Sequence, residues 1–345
     1  MFKRCSYSFS IYFPKKGVGA IFFFIVIFSA RSQDVYTNSY EFLNIPPSAR
    51  QVGLGGKNVT SADRDPNGFL SNPAVLNKQL DNFISFNYIP YFAKVNYLST
   101  SFAKDFNKFG SWGASINYLD YGTFKGFDPS GESIGQYSAR DYALVISNSQ
   151  TKENFSFGGS IKLAGSDIAG YFSSALLFDI GGLFVHPSKD LKIGMTIKNV
   201  GLSLRNYTNS SDFKMPFDVQ IGGSFKPEHM PVRLSMTLHS LNRFKVSEEL
   251  NGEKVSTTDQ IFRHLVIGTE VLLTKNINIR AGYDHQRRKE MKLSQGGALS
   301  GFSIGMMIRV KAFEVAYSRG GFNAAGSQNC FTLITNLNYF LNKNK

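Results

Sequence analysis

The side chains able to do chemistry are few and poorly spaced for it. His186, His229, His239, His264 and His285 are scattered, with no H-E-x-x-H and no His-x-Glu joined to a cysteine motif, so the spacing a zinc site needs is missing. Gly53-Leu54-Gly55-Gly56-Lys57 has the look of a phosphate loop. It fails the test, because Gln51 stands where the first glycine belongs and Asn58 follows the lysine. His239-Ser240 is the one candidate nucleophile and base. Neighbours on a strand point to opposite faces, so this pair is expected to be unable to bond side chain to side chain. No enzyme activity, cofactor or metal is expected. One further cluster is electrostatic: Arg287, Arg288, Lys289 and Lys292 share a short run with a single acid, Glu290. Such a run can hold lipopolysaccharide phosphates or an acidic surface protein, since unit charges attract over about 8 Å at physiological salt.

The elements that carry these residues are strands. Between Phe83 and Phe340, fourteen segments place apolar residues on every second position. Leu191, Ile193, Met195 and Ile197 alternate with Lys192, Gly194, Thr196 and Lys198; Trp112, Ala114, Ile116 and Tyr118 alternate with Ser111, Gly113, Ser115 and Asn117. A period of two with large apolar residues on one face calls for lipid or a core on that face and water or a polar plug on the other. The connections discriminate between a soluble sandwich and a membrane barrel. Those near 89–94, 119–141, 164–174, 199–217, 240–263, 286–300 and 319–330 are mostly long. The intervening ones, near 104–110, 149–153, 185–190, 226–231, 274–276 and 311–312, are short. Long outer loops and short periplasmic turns mark an outer-membrane protein. The expected fold is all-β, a 14-stranded transmembrane antiparallel β-barrel over 83–345.

An exported address agrees. Lys3, Arg4, Lys15 and Lys16 precede an apolar run from Gly17 to Phe28, and Ala30-Arg31-Ser32 supplies small residues before Gln33. This predicts a signal peptide over 1–32 cleaved between Ser32 and Gln33; the apolar run is short for a membrane helix, which needs about 20 residues. Of the 38 basic residues five fall in this leader, which leaves a mature excess of 33 over 25 acids, or +8. The basic residues are dispersed, so no nucleic-acid partner is expected. Cys330 alone remains after processing, and no intrachain disulfide framework can form.

Residues 33–82 differ in character from the strand-rich region. They are rich in proline and glycine yet keep Phe42, Leu43, Ile45, Val52, Leu54, Phe69, Leu70 and Leu76. They are predicted to form a plug that enters the lumen from the periplasmic end, with Tyr40, Phe42, Leu43, Pro46, Pro47, Arg50, Gly53, Gly55 and Gly56 as its candidate residues. On the wall, parity turns Lys162, Lys192, Lys198, Arg233, Arg280 and Arg309 inward against Asp141, Asp179, Asp218, Glu270, Asp284 and Glu314. A balanced set fits a closed barrel whose charges pair with each other or with Asp63-Arg64-Asp65, whereas an ion-selective pore shows an imbalance.

Several runs resemble a family. Tyr40-Glu41-Phe42-Leu43-Asn44-Ile45-Pro46-Pro47-Ser48-Ala49-Arg50, Gly53-Leu54-Gly55-Gly56-Lys57-Asn58 and Asn72-Pro73-Ala74 are similar to the opening of the PorQ family, outer-membrane barrels of the type IX secretion system. Arg263-His264-Leu265-Val266-Ile267-Gly268, Gly282-Tyr283 and Gln286-Arg287-Arg288-Lys289-Glu290-Met291-Lys292 resemble its later signatures. The related PorV family looks less similar at Phe42–Pro47 and at the basic run. Both resemble FadL-class fatty-acid transporters, plugged barrels of fourteen strands. The resemblance implies a non-enzymatic dock in the outer membrane. It would anchor a PorZ-like surface protein beside PorU-like and PorV-like subunits, in a complex that cleaves secreted cargo and joins it to lipopolysaccharide. The alternative it implies is transport of hydrophobic small molecules past the plug, opened at a glycine-rich kink such as Gly158-Gly159 or Gly181-Gly182.

Overall fold

Alternation is realised as a wall with two chemically distinct faces. Ile116, Phe157, Ile161, Met195, Leu234 and Ile304 stand on the outer surface, while Ser85, Ser115, Ser147, Ser160, Thr196 and Thr237 are buried inside. The computed structural model describes residues 39–208, 214–246, 255–291, 299–323 and 326–341. Ser32, Gln33 and Lys292 lie outside the described residues.

The wall comprises β1 (Phe83–Pro90), β2 (Asn96–Asp105), β3 (Ser111–Phe127), β4 (Ser133–Lys152), β5 (Phe155–Ile168), β6 (Tyr171–Val185) and β7 (Asp190–Arg205). It continues through β8 (Asp218–Lys226), β9 (Val232–Leu238), β10 (Leu265–Leu272), β11 (Ile277–Asp284), β12 (Phe302–Val310), β13 (Phe313–Asn323) and β14 (Gly326–Asn336). Each strand pairs antiparallel with its neighbours in sequence, and β1 closes on β14 with Phe83 opposite Asn336 and Tyr88 opposite Phe331. Closure satisfies the backbone of every strand within the sheet, which hydrocarbon demands. β1 begins and β14 ends at the rim of short turns such as Glu153-Asn154 and Lys311-Ala312, the periplasmic rim of such barrels.

The outer rim departs from expectation. The connections expected near 119–141, 164–174 and 319–330 are largely strand. β3 and β4 run for 17 and 20 residues and keep Phe124 opposite Tyr137 well beyond the alternating region. Both faces of a strand meet water once it leaves the bilayer, so the hydrogen-bond ladder continues while the apolar period disappears. The wall is therefore lopsided: β3–β7 have 14–20 residues each and β8–β12 only 7–9. Two short helices sit on the low side at the outer rim, α2 (Thr257–Arg263) and α3 (His285–Glu290); α4 (Asn338–Leu341) follows β14.

The lumen is filled by residues 39–82, with α1 (Ala49–Gly53) and a series of 3-10 turns. The turns arise locally. Asp65, Asn72 and Asn77 each accept the backbone N–H two residues on, with Pro66 and Pro73 at the first position of the two turns capped by Asp65 and Asn72; Ser48 caps α1 through Gln51 N. The described part of the segment runs from the outer rim to the periplasmic rim, and the entry of residues 33–38 lies outside the described residues. Ser39 N donates to Lys214 O in the β7–β8 connection of the outer rim, whereas Asp81 accepts from Asp105 N and pairs with Lys104 at the periplasmic rim. The described segment thus descends the barrel axis from outside to inside, because β1 starts at the periplasmic rim and the chain must end there.

Candidate functional site

Three tiers of plug-to-wall contact fill the lumen. At the outer tier Tyr40 and Phe42 pack with Tyr97, Ile89 and Leu119, and the Tyr40 hydroxyl donates to Ser173 Oγ at 2.9 Å. Leu43, Pro46 and Pro47 continue this strap beneath the mouth. Below it, α1 is held by wall hydroxyls: Ala49 N donates to Thr332 Oγ1 at 2.8 Å, Ser318 Oγ donates to Ala49 O, and Ser303 Oγ bridges Gly53 O and Gly55 N. Wall glycines make this approach possible. A Cβ on Gly282 would land on the Leu54–Gly55 peptide, and one on Gly158 or Gly181 on the Asn72–Ala74 turn. Gly158 and Gly181 therefore seat the plug, while Gly182 meets nothing within 4 Å and Gly159 makes only ordinary contact.

The inner tier is ionic. Arg50 reaches Glu270 at 2.8 Å and Asp63 at 2.7 Å; Asp63 also takes Lys192 and Arg233, both at 2.6 Å; Arg280 lies 2.9 Å from Glu270. Burial by itself would raise the Asp63 pKa, but Arg50, Lys192 and Arg233 hold its carboxyl well below the usual range. Arg309 pairs with Glu314 and Lys162 with Asp179. Asp141 accepts hydrogen bonds from the Tyr121 and Ser166 hydroxyls. Most of the wall charges read by parity find an ionic partner, with Asp63 of the plug as hub, whereas Lys198 and Asp141 have none among the described residues. Arg64 stacks over Phe83 at 5.1 Å, and Asp65 is spent on its turn.

The His239–Ser240 expectation is corrected. Ser240 Oγ lies 3.0 Å from His239 Nδ1, because β9 ends at Leu238 and Ser240 takes φ 55°, which breaks the alternation. The same nitrogen lies 3.0 Å from Lys57 Nζ. Burial, then the charges of Lys57 and Arg287, hold the His239 pKa well below its ordinary value. An imidazole pressed by an ammonium group resists the proton a base must accept, so the contact does not make a nucleophile. Two G-x-S-x-G matches, Gly131–Gly135 and Gly301–Gly305, lead into β4 and β12 rather than into a helix. Ser303 is committed to the plug, so neither forms a nucleophile elbow.

Arg287, Arg288 and Lys289 of the basic run are folded into α3. Arg287 turns inward, donating to Gly55 O at 3.2 Å and pairing with Asp284 at 3.4 Å; Arg288 lies over the Phe302 ring at 5.8 Å; Lys289 pairs with Asp259 at 3.2 Å. Helical periodicity, hidden by the run's uniform charge, separates one arginine facing the plug from its outward neighbours.

Under the Phe42–Pro47 strap lies a cavity of about 40 Å³ with Lys57, Lys162 and Lys198 in its lining, and a wider one of about 530 Å³ opens at the periplasmic rim between Arg64 of the plug and Arg309 and Glu314 of the wall.

No family model and no curated protein sequence matches the chain. Among solved structures it is similar to the toluene transporter TbuX of Ralstonia pickettii, with 12% identity over 85% of this chain and 97% of that one, at a TM-score of 0.52. It is also similar to a FadL homologue of Pseudomonas aeruginosa, with 11% identity over 84% and 98%, at 0.48. The chain is a 14-stranded outer-membrane β-barrel that shares its fold with TbuX. At that identity the likeness carries the architecture, and function has to come from the residues.

Proposed function

We propose that this barrel is a non-enzymatic dock of the type IX secretion system, anchoring a PorZ-like surface protein within an attachment complex with PorU-like and PorV-like subunits. The observation that carries this is the plug's seal against the wall: among the described residues it is fastened at three tiers, by wall hydroxyls and close-packed glycines around α1 and by the ion pairs of Arg50 and Asp63, which opposes passage of a solute. The runs that resemble the PorQ family supply the seal, through Arg50, Gly53, Gly55 and Asn72 in the plug and Gly282 and Arg287 in the wall and rim. Above the bilayer, β3–β7 raise a one-sided rim on which a surface partner or lipopolysaccharide can rest.

A second function, transport of hydrophobic small molecules, draws support from the fold shared with a toluene transporter and from the apolar strap over the cavity. Affinity purification of the tagged, folded protein from outer membranes separates the two. Enrichment of the PorZ-like and PorU-like subunits is the expected result. A stoichiometric apolar small molecule with no such subunits would replace the dock by a transporter.

A further inference from the structure

We propose that the lumenal cavity is a binding site for one small oxyanion, carboxylate or phosphate in chemistry, with Lys198 as its principal partner. The site is built by a bulge. β6 and β7 shift register between Phe178–Val200 and Ile180–Ile197, so Asp179 alone faces Lys198 and Asn199, and Asn199 takes φ 58°. The extra residue does not give Lys198 a partner. Asp179 is engaged by Lys162 Nζ at 2.6 Å and by Asn199 N at 2.8 Å. Asp218, the other nearby acid, accepts Gln220 Nε2 at 2.6 Å and Ser240 N at 2.7 Å, with Lys57 at 3.7 Å.

Lys198 is 7% exposed and, among the described residues, has neither a hydrogen bond nor an ion pair. A buried ammonium without an anion is one of the costliest groups a fold can carry. Lys57, Lys162 and Lys198 converge on the cavity against two carboxylates already bonded, which leaves one positive charge uncompensated. Asn117 accepts from Tyr97 and Ser115 through Oδ1, so its amide NH₂ is available as a neutral donor in the same lining. About 40 Å³ admits a small oxyanion or the head group of a larger molecule, and excludes a chain. The anion ties plug to wall, since Lys57 belongs to the one and Lys198 to the other. The inference rests on neither the dock nor the transporter.

The test is calorimetric titration of the full folded barrel in a neutral detergent, at constant ionic strength set with chloride, using sodium phosphate, acetate, decanoate and decyl phosphate. Saturable binding at a single site is expected, weakened by about tenfold or more in Lys198→Met barrels that still run as closed barrels on unheated gels. Phosphate or acetate binding as tightly as the amphiphiles identifies a free anion; amphiphiles binding about tenfold tighter identify a lipid head group. Equal binding by wild type and Lys198→Met overturns the proposal. So does the absence of saturable binding of all four by the wild type, which decides the matter even if the variant fails to assemble.

Discussion

Glu270→Gln should be among the most damaging isosteric changes in the barrel. Glu270 is 2% exposed and faces Arg50 at 2.8 Å, Arg280 at 2.9 Å and Arg233 at 3.4 Å. Removing one partner of a buried pair costs about 3–5 kcal/mol, because the other charge stays buried alone. The three arginines share that cost unequally. Arg50 keeps Asp63, and Arg233 keeps Asp63 and Asp190, whereas Arg280 loses its only ionic partner among the described residues. The loss should therefore fall near the lower end, about 3 kcal/mol. Adding Arg280→Met should restore about 2 kcal/mol by removing the stranded charge. Lys104→Met, at a pair with Asp81 that is a third exposed, should cost under about 1 kcal/mol. Urea unfolding from phospholipid vesicles measures all three, with the single tryptophan, Trp112, as a reporter on the lipid face. A double variant no more stable than Glu270→Gln alone would refute the account of a stranded arginine.

Three further outcomes are expected. Gly282→Ala should cost about 1–3 kcal/mol by overpacking against the Leu54–Gly55 peptide, and Gly182→Ala, with nothing near it, should be close to neutral in the same unfolding assay. Met195→Arg, on the lipid face of β7, should lose about 2–4 kcal/mol, and Ile193→Arg less as the position nears the periplasmic rim. Asp259 joins α2 to α3 through Arg263, His285 and Lys289; burial pushes its pKa up, but these partners outweigh burial and bring it down to about 2. A depressed carboxylate contributes stability above its unfolded pKa of about 3.9 that disappears as pH falls through the folded value. Hydrogen exchange over 257–263 should thus be faster in Asp259→Asn than in wild type at pH 7, and the two should converge near pH 2.

The lipid-facing band was the most legible part of the sequence, because lipid on one side and polar contacts on the other impose the period of two directly. Leu191–Lys198 shows it: Ile193 and Met195 face out, Lys192 and Lys198 in. Legibility stopped where that constraint stopped. Beyond the bilayer β3 and β4 keep their ladder with no apolar period, and the sequence read as loop. Parity placed the wall charges but could not rank partners, since Asp63 becomes a hub only through the path of the plug. The direction of that path has no periodic signature at all. The uniform charge of Arg287–Lys289 concealed that one member serves the plug, and the left-handed turn at Ser240 erased the rule that kept it from His239.

The way α1 is held bears on how the barrel can be made. Its backbone is gripped by Ser303, Ser318 and Thr332, on β12, β13 and β14, which follow the plug by more than ten strands in the chain. At Gly282 and Gly158 the wall backbone lies directly against the plug, with no room there for a side chain. The plug lacks its full seat until β12, β13 and β14 are in place. Zipping the β1–β14 seam and completing the seat of the plug are thereby linked, and a barrel truncated before β14 would lack both its closing hydrogen-bonded edge and the Thr332 contact to α1.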